Sequence, residues 1–172
     1  MTTEIEVSTD QARLDLDYIH GYLTRSYWAA GIPKHLVARS IRHSLCFGLY
    51  RGPQQIGFAR VVTDYVTFAY LADVFVDPQE QHKGYGTRFI AEVLNHERLQ
   101  GLRRWHLVTK DAQAFYRKLA FSTVASPEGH MEKYTPPDYG SSLPRGESTA
   151  DKAATGRREA DGPPREGSGH KR

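Results

Sequence analysis

The sequence predicts an α/β fold of the α+β type: a mixed, mostly antiparallel twisted sheet with helices on both faces. Three observations carry this reading. Strand-like runs between residues 45 and 76 are separated by short turns, as in antiparallel hairpins. The last of them passes through a glycine-bearing loop into a helix and then into another strand, as a crossover connection does. Two helical stripes precede the hairpins, so both faces of the sheet are covered.

The elements follow in order. Residues 4–8 alternate polar and apolar side chains, the period of a strand. Asp15 to Ala30 reads as a helix with Leu16, Ile19, Leu23 and Tyr27 on one stripe, and Gly31-Ile32-Pro33 breaks it. Pro33 suits the first turn of a second helix, 33–44, with Leu36, Val37, Ser40 and Ile41 on one face. A strand at 45–50, a turn at 51–54 and a strand at 55–63 form a hairpin; a turn near Asp64 leads to a long strand at 67–76. The helix 84–100 buries Phe89, Ile90, Val93 and Leu94, and Gly101 ends it. A strand at 104–109, a short helix at 112–119 and a final strand pair, 122–125 and 130–134, complete the domain.

Composition narrows the class. The chain has 172 residues, 39% of them hydrophobic and 25% charged, enough for one domain with a buried core and a tail. Beyond Tyr134 apolar residues nearly vanish, so residues 1–135 are read as the domain and 136–172 as a disordered polar tail. The single cysteine, Cys46, excludes an intrachain disulfide framework and a cysteine cage for zinc; within an apolar strand it reads as core. There is no apolar run of about 18 residues and no apolar signal region, so no membrane partner and a cytoplasmic location are expected. The pI is 9.0, yet the net charge is only +3 and acidic residues are interspersed, so no nucleic-acid partner is expected. His35, His43, His82, His96, His106 and His130 are scattered, and His96-Glu97 is followed by Arg98-Leu99-Gln100 rather than by a second ligand histidine; no metal is expected.

The densest signal runs from Asp73 to Arg88, where an apolar strand enters a proline turn, then a basic loop with Gly84 and Gly86, then a helix. Glycines let backbone N–H groups approach an anion, the free N–H groups of a helix start point at it, and Lys83 adds positive potential. The third glycine of a dinucleotide fingerprint is missing, and there is no P-loop.

In combination these segments resemble the GNAT superfamily of acetyl-CoA-dependent N-acetyltransferases over roughly residues 4–134. Gln81-His82-Lys83-Gly84-Tyr85-Gly86 is similar to that family's Gln/Arg-x-x-Gly-x-Gly/Ala signature, and the strand before it to the family's central strand. Thr109 to Ala112 and Phe115 to Phe121 resemble its Asn-x-x-Ala-x-x-Leu-Tyr-x-x-x-Gly-Phe element, with Thr109 in place of Asn and Ala120 in place of Gly. The run Ser26 to Pro33, with Leu45 to Tyr50, resembles a small bacterial-type subgroup.

The resemblance implies roles. The backbone of Val74, Phe75 and Val76 would pair with the pantetheine arm of acetyl-CoA. Gln81, His82, Lys83, Gly84, Tyr85, Gly86 and Thr87 would hold its diphosphate, and Thr109 would contact the cofactor further along. Tyr116 stands where the family has its general acid, and Tyr27 and Trp28 would border the acceptor cleft. Asp73, a carboxylate in an apolar strand, either relays a proton, binds a cationic amine, or pairs structurally with an arginine. Strand alternation groups it with Leu71 and Phe75. The reading is an N-acetyltransferase that moves acetyl from acetyl-CoA to a primary amine by direct attack in a ternary complex, with no covalent enzyme intermediate. The alternative is a non-catalytic acyl-CoA-binding or partner-recruiting module on the same fold. A homodimer is compatible with either.

Overall fold

Turn chemistry and alternating apolar residues build the sheet. A computed structural model describes residues 4–139. Strands β1 (Ile5–Ser8), β2 (Leu45–Arg51), β3 (Gln54–Thr63), β4 (Phe68–Val76) and β5 (Arg104–His106) lie side by side in that order. Neighbours are antiparallel except β4 and β5, which are parallel. The β2–β3 hairpin closes on the Arg51–Gln54 pair, where Gly52 supplies a φ of 59°. At the β3–β4 turn one Asp64 oxygen accepts the N–H groups of Val66, Thr67 and Phe68 at 2.9, 2.8 and 3.1 Å; the other accepts the Thr67 hydroxyl. The Thr67 hydroxyl, then these backbone donors, hold its carboxyl far below the usual carboxylate range.

Helices cover both faces. On one, α1 (Leu16–Leu23) and α2 (Lys34–Arg42) bury Ile19, Leu23, Val37 and Ile41 against Cys46, Phe58 and Phe75. On the other, α3 (Tyr85–Leu94) buries Phe89, Ile90 and Val93 against Phe47, Leu49, Val61 and Leu71. Tyr116 of α4 (Gln113–Arg117) joins this second core. Cys46 is buried, and desolvation pushes its thiol up to about 12, as the core reading requires.

Several elements are shorter than the sequence pattern suggests. The first helix stops at Leu23: the Ser26 hydroxyl donates to the Leu23 carbonyl at 2.7 Å, and the chain turns toward Gly31 at φ 73°. Tyr27 therefore lies outside the helical stripe. The helix expected over 84–100 ends at Leu94, and a 3₁₀ turn, Glu97–Leu99, precedes Gly101. The strand at 104–109 ends at His106. Neither 122–125 nor 130–134 is a strand; that segment is mostly exposed, with one 3₁₀ turn at Pro127–Gly129. Local alternation is not enough where no ladder partner is taken. From residue 140 the expected tail lies outside the described residues.

The end of α4 is closed by backbone bonds from Phe121 to the Tyr116 carbonyl and from Ala120 to the Arg117 carbonyl, at 3.1 and 3.2 Å. The rings of Tyr116 and Phe121 meet edge to face at 5.7 Å. This is a Schellman cap, and its left-handed position, at φ 64°, is Ala120. A Cβ there costs about 1 kcal/mol, so Ala120→Gly is expected to stabilise the domain by about that amount in urea unfolding. An unchanged or lowered midpoint would show that Ala120 carries no strain.

Candidate active site

The site begins where two strands part. The β4–β5 ladder pairs Phe68 with Arg104, Ala69 with Trp105 and Tyr70 with His106, then stops. Past that point Leu71–Val76 has no strand partner on the β5 side among the described residues. An extended ligand can pair with such an edge through main-chain groups. On its other side β4 carries a bulge: Phe58 pairs with Phe75 and Arg60 with Ala72, leaving Asp73 and Val74 opposite Ala59. Asp73 takes a φ of 53°. Its Oδ2 accepts the Arg60 Nε–H at 2.6 Å, and Arg60 Nη1 donates to the Ser44 hydroxyl at 3.2 Å. The two side chains are 14% and 18% exposed.

The bulge corrects the expected alternation. Leu71 does not share a face with Phe75: Leu71, Val74 and Val76 pack in the α3 core, and Phe75 in the α1–α2 core, stacked on Tyr22 at 3.8 Å. Asp73 turns toward Arg60, on the face opposite Ala59 and Val61. The arginine pair expected as one role of this carboxylate is present.

The loop after β4 is anchored at both ends. The Asp77 N–H donates to the Ile56 carbonyl at 2.7 Å, and the Gln81 amide donates to the Val76 carbonyl at 2.9 Å. Between them buried Glu80 bridges Arg51 at 2.9 Å and Lys83 at 3.0 Å. His82 and Gly84 have φ of 63° and 81°, and backbone of this kind gathers successive N–H groups into an anion-binding concavity. Gly84 is the N-cap of α3 and brings no side-chain cap; the first intrahelical bond is Arg88 to Gly84. The N–H groups of Tyr85, Gly86 and Thr87 are therefore left at the open helix start. A Cβ on Gly86 would meet Phe115 and Val76 at 3.8–4.0 Å, so nothing among the described residues demands glycine there. Lys83 is already paired with Glu80, which leaves the backbone as the main anion ligand.

Tyr116 is buried, and desolvation, with a smaller push from Tyr27, raises its phenol to about 12. It keeps its proton through neutral pH. Thr109 Oγ1 accepts the Ala112 N–H at 3.1 Å in the turn just ahead of α4. Tyr27 and Trp28, 54% and 42% exposed, meet edge to face at 4.9 Å. The Tyr27 hydroxyl accepts the Lys110 N–H at 3.0 Å, joining the end of α1 to the chain beyond β5. Tyr116, Tyr27 and the fork thus share one region.

Sequence reasoning passed over Arg60 and Tyr70, and weighed His106 and His130 only as metal ligands. Tyr70 stacks on His106, and His106 on His130, each at 5.8 Å. Arg60 was detectable as a charge inside an apolar strand; the ring ladder was not, because its members are 24 to 60 residues apart. Among the described residues no three His, Cys, Asp or Glu side chains are grouped to hold a metal, and no helix is long and apolar enough to cross a membrane.

Comparison with known proteins follows the same lines. The model of the acetyltransferase (GNAT) domain matches residues 42–123. A Gibberella zeae protein that carries the name of an acetyltransferase is 38% identical over 135 residues, 65% of this chain and 75% of that one. A crystal structure of a protein assigned to the GNAT family from Xanthomonas campestris pv. campestris superposes with a TM-score of 0.77 at 44% identity, covering 82% of this chain and all of that one. A Clostridium acetobutylicum protein described as an acetyltransferase with acetyl-CoA is 13% identical, with a TM-score of 0.58 over 76% of this chain and 96% of its own; that likeness is one of fold.

The Arg60–Asp73 pair yields a prediction. Arg60→Met leaves a mostly buried carboxylate without its partner and is expected to cost about 3 kcal/mol in urea unfolding. The double variant Arg60→Met/Asp73→Asn should recover part of the loss. A single variant as stable as the parent would show that the pair does not hold the bulge.

Proposed function

The chain belongs to the GNAT acetyltransferase family, and from that premise we propose that it moves an acetyl group from acetyl-CoA to a primary amine by direct attack. One observation carries the reading: an unpaired strand edge, Leu71–Val76, leads straight into a loop with left-handed His82 and Gly84 and an uncapped helix start. The pantetheine arm would pair with the backbone of Val74, Phe75 and Val76. The diphosphate would sit on N–H groups of the 81–87 loop, with Lys83 contributing field while bonded to Glu80. Gly86 has no packing reason to be glycine and fits close approach of a ligand to the helix start.

In the proposed reaction the amine nitrogen attacks the thioester carbonyl carbon and the carbon–sulfur bond breaks. A backbone N–H near Val76 stabilises the oxyanion, an effect worth about 10²–10³ in rate for one donor. The departing sulfur takes the Tyr116 proton. No nucleophile of the protein takes part, consistent with a Cys46 thiol that burial holds protonated. Asp73, held by Arg60, shapes the strand beside the carbonyl, and Tyr27 and Trp28 line the approach of the acceptor.

Acetyl-CoA at 100 times its dissociation constant is expected to add about 2.7 kcal/mol of stability. Gly86→Ala should fold with an unchanged apo midpoint and show a smaller shift. No shift at millimolar acetyl-CoA would overturn the reading. A binding-only module would give the same shift but no thiol release with any amine.

Tyr116→Phe should retain the acetyl-CoA shift and lose about 100-fold in kcat. Because its phenol is raised to about 12, the wild-type rate should show no loss from Tyr116 ionisation below about pH 10. Full turnover by the variant would remove the general-acid role.

A further inference from the structure

The proposed transfer needs a neutral amine, yet alkylamines carry a proton at neutral pH, with pKa values of about 10. The carboxylate nearest the fork is occupied: Asp73 Oδ2 is bonded to Arg60 at 2.6 Å. Among the described residues two other titratable side chains stand on the last rung of the fork, Tyr70 and His106; burial pushes the Tyr70 phenol up, which leaves the imidazole as the proton acceptor. His106 is the last residue of β5 and pairs with Tyr70, after which β4 and β5 part. Its neighbours Trp105 and Leu107 pack toward the α3 core, so alternation turns its imidazole to the opposite face, the face of Tyr70 and of the Arg60–Asp73 pair.

The ring is held without being capped. Tyr70 stacks against it with an interplanar angle of 28° and His130 with one of 12°, each at 5.8 Å. Stacking fixes the plane of the imidazole and leaves its edge, which bears both nitrogens, outside the ring contacts. Among the described residues no hydrogen bond ties either nitrogen. His106 and His130 also line a groove of about 630 Å³ between β5 and the segment 119–126, so the ring is reached from solvent. The charged and titratable groups around this ladder are Tyr70 and Asp73 from β4, Arg60 from β3, Arg103 and Arg104 at the start of β5, and His130 and Glu132 from the C-terminal segment.

We propose that His106 is the catalytic residue that takes the proton from the acceptor's ammonium group. The inference rests on the acetyl-transfer reading. The ammonium gives one proton to an imidazole nitrogen, and the freed lone pair attacks the thioester carbon. The carbon–sulfur bond breaks and the sulfur takes the Tyr116 proton. The second proton of the new amide nitrogen returns to Tyr116 through water, and the imidazolium releases its own to solvent. Acetyl-CoA and the ammonium become the amide, CoA thiol and one proton. An imidazole suits the step, because histidine ordinarily titrates between about pH 5 and 8.

The test measures CoA thiol release between pH 5.5 and 9 with a panel of primary amines, from ethanolamine to a lysine-containing peptide. Wild type, His106→Gln and Asp73→Asn are compared, with the acetyl-CoA thermal shift recorded for each. Wild-type kcat should rise with pH through a limb that depends on His106. His106→Gln should lower kcat about 100-fold and abolish that limb while keeping the thermal shift; Asp73→Asn should keep the limb. A limb that persists in His106→Gln, or disappears in Asp73→Asn instead, overturns the assignment to His106 and leaves acetyl transfer standing. A wild type that binds acetyl-CoA yet releases no thiol with any amine overturns both.

Discussion

The bulge at Asp73 is the constraint on which the rest of this structure depends. Extended strands alternate faces, and a strand buried on both sides cannot change that parity without an extra residue. Here the extra residue is a partly buried aspartate in left-handed backbone, a conformation with a cost of its own. The Arg60 guanidinium, fixed in turn by Ser44, offsets that cost. Without the pair, Phe75 would point into the α3 core and the Tyr22–Phe75 stack would be lost. Bulges also increase local twist, which accounts for β4 and β5 parting two residues before it.

The fork and the loop form one device because they share β4. Its unpaired edge ends at Val76, the next residue bonds back to β3, and buried Glu80 binds two cations that keep the following turn in place. A helix start presented from such an anchored turn needs little ordering when an anion arrives, and preorganisation of this kind lowers the entropic cost of binding. Opposite it, the Schellman cap of α4 places Tyr116 by backbone bonds rather than by its hydroxyl, leaving the phenol available for proton donation.

How far the site was legible depended on distance along the chain. Gly84, Gly86 and the helix start are neighbours in sequence, so the left-handed loop and uncapped helix could be read there, and the helix that carries Tyr116 followed from a contiguous element. The expected strand pair after Ser122 was misread because alternation describes a side-chain pattern and says nothing about whether an edge accepts a partner. The position of Tyr27 was misread because one serine hydroxyl, bonding to the Leu23 carbonyl, ends the helix before its stripe is complete.

By itself the sequence determined the order of helices and strands as far as the helix that carries Tyr116, the two-sided covering of the sheet and the anion-suited loop, since each depends on residues within a few positions of one another. Tertiary structure alone decided the partner of Asp73, the parity of β4, the point where β5 departs, and the stacking of Tyr70, His106 and His130. The physical reason is that each of these is a pairing between distant residues, set by strand register and by the free energy of burying a charge beside its counter-charge, and neither quantity exists until the strands have met.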